Sequence, residues 1–121
     1  MKGPDEPGHD GLFGLKKTRI EDVDQGFFSV LGEARVWERM VVCVTCDHST
    51  PWRDKGHSDD PVPVLIAGGS VGSDGSERFS ESEAMKGSLG TLLRGKMLVE
   101  RLMEARKQPT KQAGKSTPSN L

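Results

Sequence analysis

Two short apolar runs near the middle of the chain predict buried strands. The first covers residues 40–45 and the second covers residues 61–67. Both runs contain several β-branched residues and are too short for an independent helix, which favours strands that are buried on both faces. Pro61 and Pro63 limit the second run to a strand start or a sheet edge, because proline has no N–H to donate to a ladder. The residues between the runs are polar and predict a loop.

Apolar residues recur at three- and four-residue intervals in two other regions, and this spacing predicts amphipathic helices. The first region covers residues 15–38, with Gly32 marking an end or a kink before a separate turn. The second covers residues 92–106, and its regular part is expected to begin near Lys96 because Gly95 interrupts its start. The predicted elements therefore combine helices with strands, which is the α/β class.

The remaining segments predict one short helix and two irregular ends. Residues 80–86 begin with Ser80 as a helix N-cap and carry Glu83 three residues later, which is the capping-box pattern. Residues 1–13 are rich in glycine and proline and predict a loop. Residues 107–121 lack large apolar side chains until the last position and predict a disordered tail.

Composition limits the size of the ordered part and the kind of partner. The 121 residues allow one domain. Hydrophobic residues make up 33% and the mean hydropathy is −0.55, which is low for a self-sufficient globular domain. The ordered part is therefore expected to be small, or to rest on a surface supplied by another polypeptide.

Charge and hydropathy exclude several classes of partner and location. The net charge of −1 gives no reason to expect nucleic-acid or membrane-surface binding. The chain has no apolar run of the length that a membrane span needs, and its first residues contain no apolar signal segment. We therefore expect a cytoplasmic protein with no nucleic-acid or membrane partner.

The two cysteines, Cys43 and Cys46, have the C-x-x-C spacing of some redox and zinc sites. A redox C-x-x-C opens a helix, where the helix dipole lowers the thiol pKa. Here both residues fall in or beside a predicted strand, which directs them to opposite faces. The sequence therefore favours two buried thiols with no role in metal binding.

The candidate chemistry lies in the three histidines and the carboxylates near them. Asp5 and His9 share one segment, Asp47 and His48 follow the first predicted strand, and His57 lies further along the same loop. Ligand sites in α/β proteins form at the carboxyl ends of strands. Imidazole and carboxylate together suit divalent zinc, manganese or iron. Each pair is common by chance, and the joint occurrence around two strands favours a metal site.

These residues stand in a run of segments that resembles one family. The chain resembles the cofactor-independent (2,3-bisphosphoglycerate-independent) phosphoglycerate mutases of the archaeal type, in the alkaline phosphatase superfamily. The resemblance is collinear up to about Leu102 and corresponds to the C-terminal portion of that longer fold. The matching segments are KGPDEPGHDG at 2–11, IEDVD at 20–24, DHSTP at 47–51, DPVPVLI at 60–66 and EAMKGSLGTLLRGK at 83–96.

The resemblance implies a fold and a set of ligands. Residues 1–106 would form the C-terminal part of an alkaline-phosphatase-like α/β/α domain, a mixed sheet flanked by helices. One metal ion would be held by Asp5, His9 and His57, and a second by Asp47 and His48. In the family, an upstream aspartate and the nucleophilic serine complete the second site. No catalytic nucleophile is therefore expected in this chain, which by itself is expected to be an inactive fragment that needs the N-terminal portion of the fold.

The resemblance also implies an activity. The family is an isomerase of glycolysis that interconverts 2-phosphoglycerate and 3-phosphoglycerate by metal-dependent phosphoryl transfer. We expect two divalent ions, with manganese favoured and magnesium or zinc left open. Lys2 and Arg53 are candidate substrate-binding residues. Two alternatives stay open: a related phosphomutase, phosphatase or phosphotransferase of the superfamily, and a non-catalytic metal-binding remnant.

Overall fold

The computed structural model describes residues 3–107, so Lys2 and the tail segment 108–121 lie outside the described residues. The chain begins with a one-turn helix, α1, and a longer helix, α2, that continues through a π-helical turn into α3. A short 3₁₀ turn then leads into the first strand. The bounds of these elements are Asp5–His9 (α1), Phe13–Val23 (α2), Asp24–Phe28 (π turn), Ser29–Glu33 (α3) and Val36–Glu38 (3₁₀ turn).

The predicted loop at residues 1–13 is wrong, because α1 forms within it. Pro4 precedes the helix as its N-cap residue, and Asp5 and Glu6 occupy its first turn. Acidic side chains in the first turn interact favourably with the positive end of the helix dipole. Proline is also compatible with the first turn, where its missing N–H would have no partner. One helical turn is therefore compatible with a sequence rich in proline and glycine.

The two predicted strands form, although each is shorter than its apolar run. The expectation that they are buried on both faces is wrong for the described residues: no residue of either strand is buried, because a two-stranded sheet with few elements packed on it leaves its faces partly open. Strand β1 is Val42–Thr45 and strand β2 is Val64–Ala67. They pair antiparallel, with Val42 opposite Ala67 and Thr45 opposite Val64. Helices beside this small sheet confirm the predicted α/β class.

The predicted helices are also confirmed. The first ends at Glu33, close to the break expected at Gly32. Arg35, two residues later, has a left-handed backbone conformation with φ of 48° and leads into the separate 3₁₀ turn. The short helix α4 is Glu81–Ala84, and the Ser80 hydroxyl caps it by accepting a hydrogen bond from the Glu83 N–H. Helix α5 is Gly95–Lys107. Within the described residues, every helix falls short of the length or apolar character that crossing a bilayer requires.

Little of the described chain is buried. Among its alanine, valine, leucine, isoleucine, methionine, phenylalanine and tryptophan residues, only Ala105 is buried, at 7% exposure. Large side chains such as Phe13, Met85 and Leu93 are 55%, 85% and 81% exposed. The described sheet contains two strands, so each strand has one edge without a strand partner in this part of the chain. Surfaces of this kind in folded proteins are covered by other polypeptide.

The loop at residues 46–63 folds back on itself and so brings its two ends together. Ser49 and Ser58 form an antiparallel bridge, in which the Ser58 N–H donates to the Ser49 carbonyl at 3.1 Å. The Lys55 N–H donates to the Pro51 carbonyl, also at 3.1 Å, and closes the tip of the loop. As a result, His48 and His57 lie on the same side of the loop.

Candidate metal centre

Helix α1 places Asp5 and His9 one turn apart, so both side chains point to the same side of the helix. Their closest atoms, Oδ1 of Asp5 and Nε2 of His9, are 3.5 Å apart. The helix approaches the 46–63 loop closely at Gly8. A Cβ atom on Gly8 would lie 2.7 Å from the Thr50 carbonyl oxygen and 3.0 Å from the Thr50 methyl group. The absence of a side chain at Gly8 therefore permits the contact that carries Asp5 and His9 to the loop.

His57 completes a triangle with the two α1 residues. Its Nε2 atom lies 3.2 Å from Nε2 of His9 and 3.9 Å from Oδ1 of Asp5. Ligand atoms bound tetrahedrally at about 2.0–2.2 Å from one ion are about 3.3–3.6 Å from each other. Asp5, His9 and His57 are therefore spaced like three ligands of a single ion. An imidazole and carboxylate donor set also fits the borderline divalent cations.

His48 and Asp47 lie next to this triangle. The His48 ring stacks on the His57 ring, with centroids 3.6 Å apart and an interplanar angle of 28°. Nε2 of His48 is 3.5 Å from Oδ2 of Asp47, whose side chain is 89% exposed. Asp47 thus points toward open space with His48 beside it, an arrangement that leaves room for further ligands.

Two different sets of three side chains in this cluster have ligand atoms close enough to bind one ion. One ligand atom each from Asp5, His48 and His57 also lie within 4.8 Å of one another. The separations of 3.2 to 3.9 Å among Asp5, His9 and His57 are closer to those around one ion. The structure brings the histidines and Asp5 together and sets Asp47 beside His48. Their division between two ions remains a prediction.

A backbone carbonyl orients the His9 ring. Nδ1 of His9 lies 3.3 Å from the carbonyl oxygen of Lys55. Because a carbonyl only accepts hydrogen bonds, this contact favours the neutral tautomer with the proton on Nδ1, in which Nε2 keeps its lone pair. The Asp5 carboxylate competes for the proton at Nε2 from a slightly longer distance, 3.5 Å. That lone pair is on the nitrogen that faces Asp5 and His57. Neutral imidazole with a free Nε2 is the form that binds a metal ion.

The Asp5 carboxylate is held in its ionised form. The Thr50 hydroxyl donates to Oδ1 of Asp5 at 2.7 Å. This hydrogen bond is the main cause that keeps the pKa of Asp5 below its usual value; desolvation opposes it, and the charges of His9, His48 and His57 add to it. A carboxylate that is ionised at neutral pH is ready to bind a cation.

The other candidate residues have mixed outcomes. Lys2 lies outside the described residues. The Arg53 guanidinium lies over the Trp52 ring, 5.2 Å from its centroid, so it packs within the loop, and its substrate role remains a prediction. Cys43 is half-buried but Cys46 is exposed, which corrects the expectation of two buried thiols. The reason is that β1 ends at Thr45, so Cys46 lies beyond the sheet.

Sequence reasoning missed two contributions to this centre. Thr50 is buried, at 5% exposure, and contacts both Asp5 and His48. Lys16 donates from its ammonium group to the Thr50 carbonyl oxygen. A loop threonine and a helix lysine are common surface residues, so neither carries a signal in the sequence. Their roles depend on the close approach of α1, α2 and the loop.

Comparison with known proteins places this centre in a family. A family model described as the Metalloenzyme superfamily matches residues 1–104. The chain therefore belongs to the Metalloenzyme superfamily, whose name agrees with the cluster of metal-ligating side chains. This membership also agrees with the superfamily expected from the sequence motifs.

Particular relatives are more specific. The chain is 42% identical over 106 residues to a 2,3-bisphosphoglycerate-independent phosphoglycerate mutase of Aeropyrum pernix, covering 85% of the chain and 24% of that protein. It is 45% identical over 104 residues to the mutase of the same name from Pyrococcus abyssi, covering 86% of the chain and 25% of that protein. The resemblance to this enzyme family, a class of isomerase, is thereby confirmed. The chain spans about a quarter of the length of these relatives.

A solved structure supports the fold. The chain is similar to a protein from Pyrococcus horikoshii with a TM-score of 0.80 and 40% identity, covering 92% of this chain and 33% of that one. The chain therefore shares the fold of about a third of that solved chain. This agrees with the alkaline-phosphatase-like fold expected from the sequence.

Proposed function

We propose that residues 1–106 form the metal-binding C-terminal part of a phosphoglycerate mutase. The observation that carries this proposal is the triangle of Asp5, His9 and His57, with separations of 3.2 to 3.9 Å. It occurs in a chain that is 42–45% identical to proteins named as such mutases. The reaction proposed for the whole protein is the glycolytic interconversion of 2-phosphoglycerate and 3-phosphoglycerate, in the cytoplasm.

The chain would supply the ligands of one ion and part of the second set. Asp5, His9 and His57 would hold the first ion, and Asp47 and His48 would contribute to the second. The exposure of Asp47 supports this division, because its carboxylate is 89% exposed and lies 3.5 Å from Nε2 of His48. The missing ligands of the second ion would come from the part of the relatives that this chain does not match.

Two divalent ions would supply charge neutralisation for the phosphoryl oxygens and would lower the pKa of an attacking hydroxyl. The residues of this chain hold and orient the ligand atoms. The Thr50 hydroxyl stabilises the ionised Asp5 carboxylate by a hydrogen bond, and the Lys55 carbonyl favours the tautomer of His9 in which Nε2 carries no proton. Manganese is the proposed metal, because the mixed imidazole and carboxylate set suits it better than magnesium. Zinc is the alternative, and elemental analysis of the purified protein would distinguish the two metals.

The substrate proposal follows from the names of the relatives. Phosphoglycerate would bind at the open side of the cluster, where Asp47 is exposed. Lys2 and Arg53 are proposed as cationic contacts to substrate phosphate or carboxylate, a role that suits both side chain types. The nucleophilic serine would lie in the region of the relatives that this chain does not match.

A hybrid enzyme tests the proposed function. The segment of the Pyrococcus abyssi relative that precedes its matched region is joined to residues 1–104 of this chain, and the product is assayed with 2-phosphoglycerate. We expect isomerisation by the hybrid and none by the 121-residue polypeptide alone, which has no counterpart of the nucleophilic serine. A folded, metal-loaded hybrid without mutase activity would contradict the proposal. Turnover of another phosphoester by that hybrid would indicate a related phosphatase or phosphotransferase.

A further inference from the structure

The hydroxyl group of Thr50 lies between two candidate metal ligands. Its Oγ1 atom is 2.7 Å from Oδ1 of Asp5 and 3.1 Å from Nδ1 of His48. The side chain is 5% exposed, so water has little access to compete for these contacts. Asp5 belongs to α1 and His48 to the loop after β1. One hydroxyl therefore connects the two segments that carry the ligands.

The hydrogen bonds of this hydroxyl determine which ring nitrogen of His48 carries the proton. A hydroxyl has one proton to donate, and a carboxylate that is ionised at neutral pH has none. The 2.7 Å contact with Asp5 must therefore use the Thr50 proton. Only a lone pair of Oγ1 then remains to face Nδ1 of His48, and the 3.1 Å contact is a hydrogen bond only if Nδ1 carries a proton. The opposite arrangement would place two acceptors 2.7 Å apart with no proton between them.

We infer that Thr50 is a positioning residue that fixes His48 in the Nδ1–H tautomer and holds its Nε2 lone pair free for a metal ion. Through the same hydroxyl, Thr50 links a ligand of the first proposed ion to a ligand of the second. The assignment of Asp5 and His48 as ligands rests on the proposed function. The tautomer itself rests on the two hydrogen bonds of Oγ1, at 2.7 and 3.1 Å. The Asp47 carboxylate, which would favour a proton on Nε2 of His48, is farther from the ring, at 3.5 Å, and is 89% exposed to water.

The surroundings of Thr50 hold its side chain in this orientation. Its methyl group lies against Gly8, where an added Cβ would be 3.0 Å away. Its carbonyl oxygen accepts a hydrogen bond from the Lys16 ammonium group. The threonine is therefore fixed at the backbone and at both branches of its side chain. Outer groups that hold a ligating histidine in this way affect metal affinity strongly.

Three variants of the full 121-residue chain separate this role from ordinary packing. Thr50→Val removes the hydroxyl and keeps the shape of the side chain, whereas Thr50→Ser keeps the hydroxyl and loses the methyl group. Thr45→Val is the matched control, because the Thr45 hydroxyl also makes a part-buried hydrogen bond, 3.1 Å to the Pro63 carbonyl, away from the ligands. Circular dichroism establishes that each variant is folded.

The first readout is the tautomer of His48 in the metal-free chain. Nitrogen-15 NMR of the imidazole rings at about pH 8, above the ordinary histidine pKa of about 6.5, distinguishes the two neutral tautomers. We expect the Nδ1–H form in the wild-type chain, in Thr50→Ser and in Thr45→Val, and a shift toward the Nε2–H form in Thr50→Val. A wild-type His48 in the Nε2–H form would overturn the inference even if no variant folded. An unchanged tautomer in folded Thr50→Val would overturn it as well.

The second readout is metal affinity, measured by titration with Mn²⁺. Loss of an outer hydrogen bond to a ligating histidine weakens affinity by about 10- to 100-fold. We expect a loss of this size in Thr50→Val, nearly wild-type affinity in Thr50→Ser, and wild-type affinity in Thr45→Val. Equal affinity in Thr50→Val and wild type would overturn the link to metal binding. A wild-type chain that binds no metal but shows the expected tautomer would count against the proposed function and leave the hydrogen-bond assignment standing.

Discussion

Gly8 and Thr50 face each other where α1 meets the loop between the strands. The space for a Cβ atom at Gly8 is already occupied by the Thr50 carbonyl and methyl groups, at 2.7 and 3.0 Å. His9 follows Gly8 directly, so any displacement of α1 also moves a candidate ligand. The lack of a side chain at Gly8 is therefore a condition for placing His9 in the cluster.

Gly8→Ala is expected to weaken both the fold and the metal centre. The added methyl group must push α1 away from the loop, and overpacking of this kind costs about 1–3 kcal/mol. Denaturant unfolding and Mn²⁺ titration would measure the losses of stability and of affinity. Gly14→Ala is the control, because a Cβ on Gly14 of α2 meets no atom within 4 Å. Alanine there should raise the free energy of unfolding by up to about 1 kcal/mol. Equal effects of the two substitutions would contradict the close contact at Gly8.

The sequence predicted the candidate ligands but not the groups that hydrogen-bond to them. Asp5, His9, Asp47, His48 and His57 stand out because few residue types bind metals and their spacing matches a family. The hydroxyl of Thr50 and the carbonyl of Lys55 carry no such signal, because loop threonines are common and every residue has a carbonyl group. Both groups matter because folding brings them next to ligands more than 40 positions away in the sequence, and a single sequence does not show which distant residues meet.

The connector between β2 and α4 is tied to the turn that follows α4. Asp74 accepts hydrogen bonds from the backbone N–H of Ser88 at 2.8 Å and of Ser76 at 3.1 Å. These bonds, led by the one from Ser88, hold the pKa of Asp74 well below its usual range. Because the pKa is lowered by folding, the ionised carboxylate stabilises this link above the unfolded pKa of about 3.9. The stabilisation is lost as the pH falls through the lower, folded value.

Acid titration of the amide signal of Ser88 by NMR tests this link between elements. The chemical shift should stay nearly constant as the pH falls to about 4, the ordinary range for aspartate, and should change only at more acidic pH. In Asp74→Asn this acid transition should disappear, because the carboxyl group is gone. A midpoint at or above the ordinary aspartate pKa would show that the carboxylate gains no stabilisation from its N–H donors.

Elements with strong local patterns were predictable, and elements held by tertiary contacts were less so. β1 and β2 follow from short apolar runs with β-branched residues, α5 follows from apolar periodicity, and α4 follows from the Ser80 cap. Helix α1 did not, since its proline and glycine residues indicate a loop while one turn is stabilised by contacts with α2 and the 46–63 loop. The π turn at Asp24–Phe28 inserts one residue into a helix without a local sequence marker.

At the scale of the whole molecule, the described residues leave much of their apolar surface uncovered. A groove of about 530 Å³ runs beside β1, lined by residues that include Phe27, Leu31 and Met40. Strand edges and large apolar side chains are exposed along the described chain. Low hydrophobic content predicted an ordered part that is small or that rests on other polypeptide, and the quarter-length match to the relatives agrees with the second alternative.

Metal content of the hybrid enzyme tests the central claim most directly. Mass spectrometry of the metal-loaded hybrid should give two divalent ions per chain, and His57→Ala should reduce this to one, because His57 is proposed to bind only the first ion. Arg53→Ala, in the same loop, is the control and should retain both ions. A His57→Ala hybrid that keeps two ions, or that loses both equally while remaining folded, would contradict the assignment of Asp5, His9 and His57 to one ion.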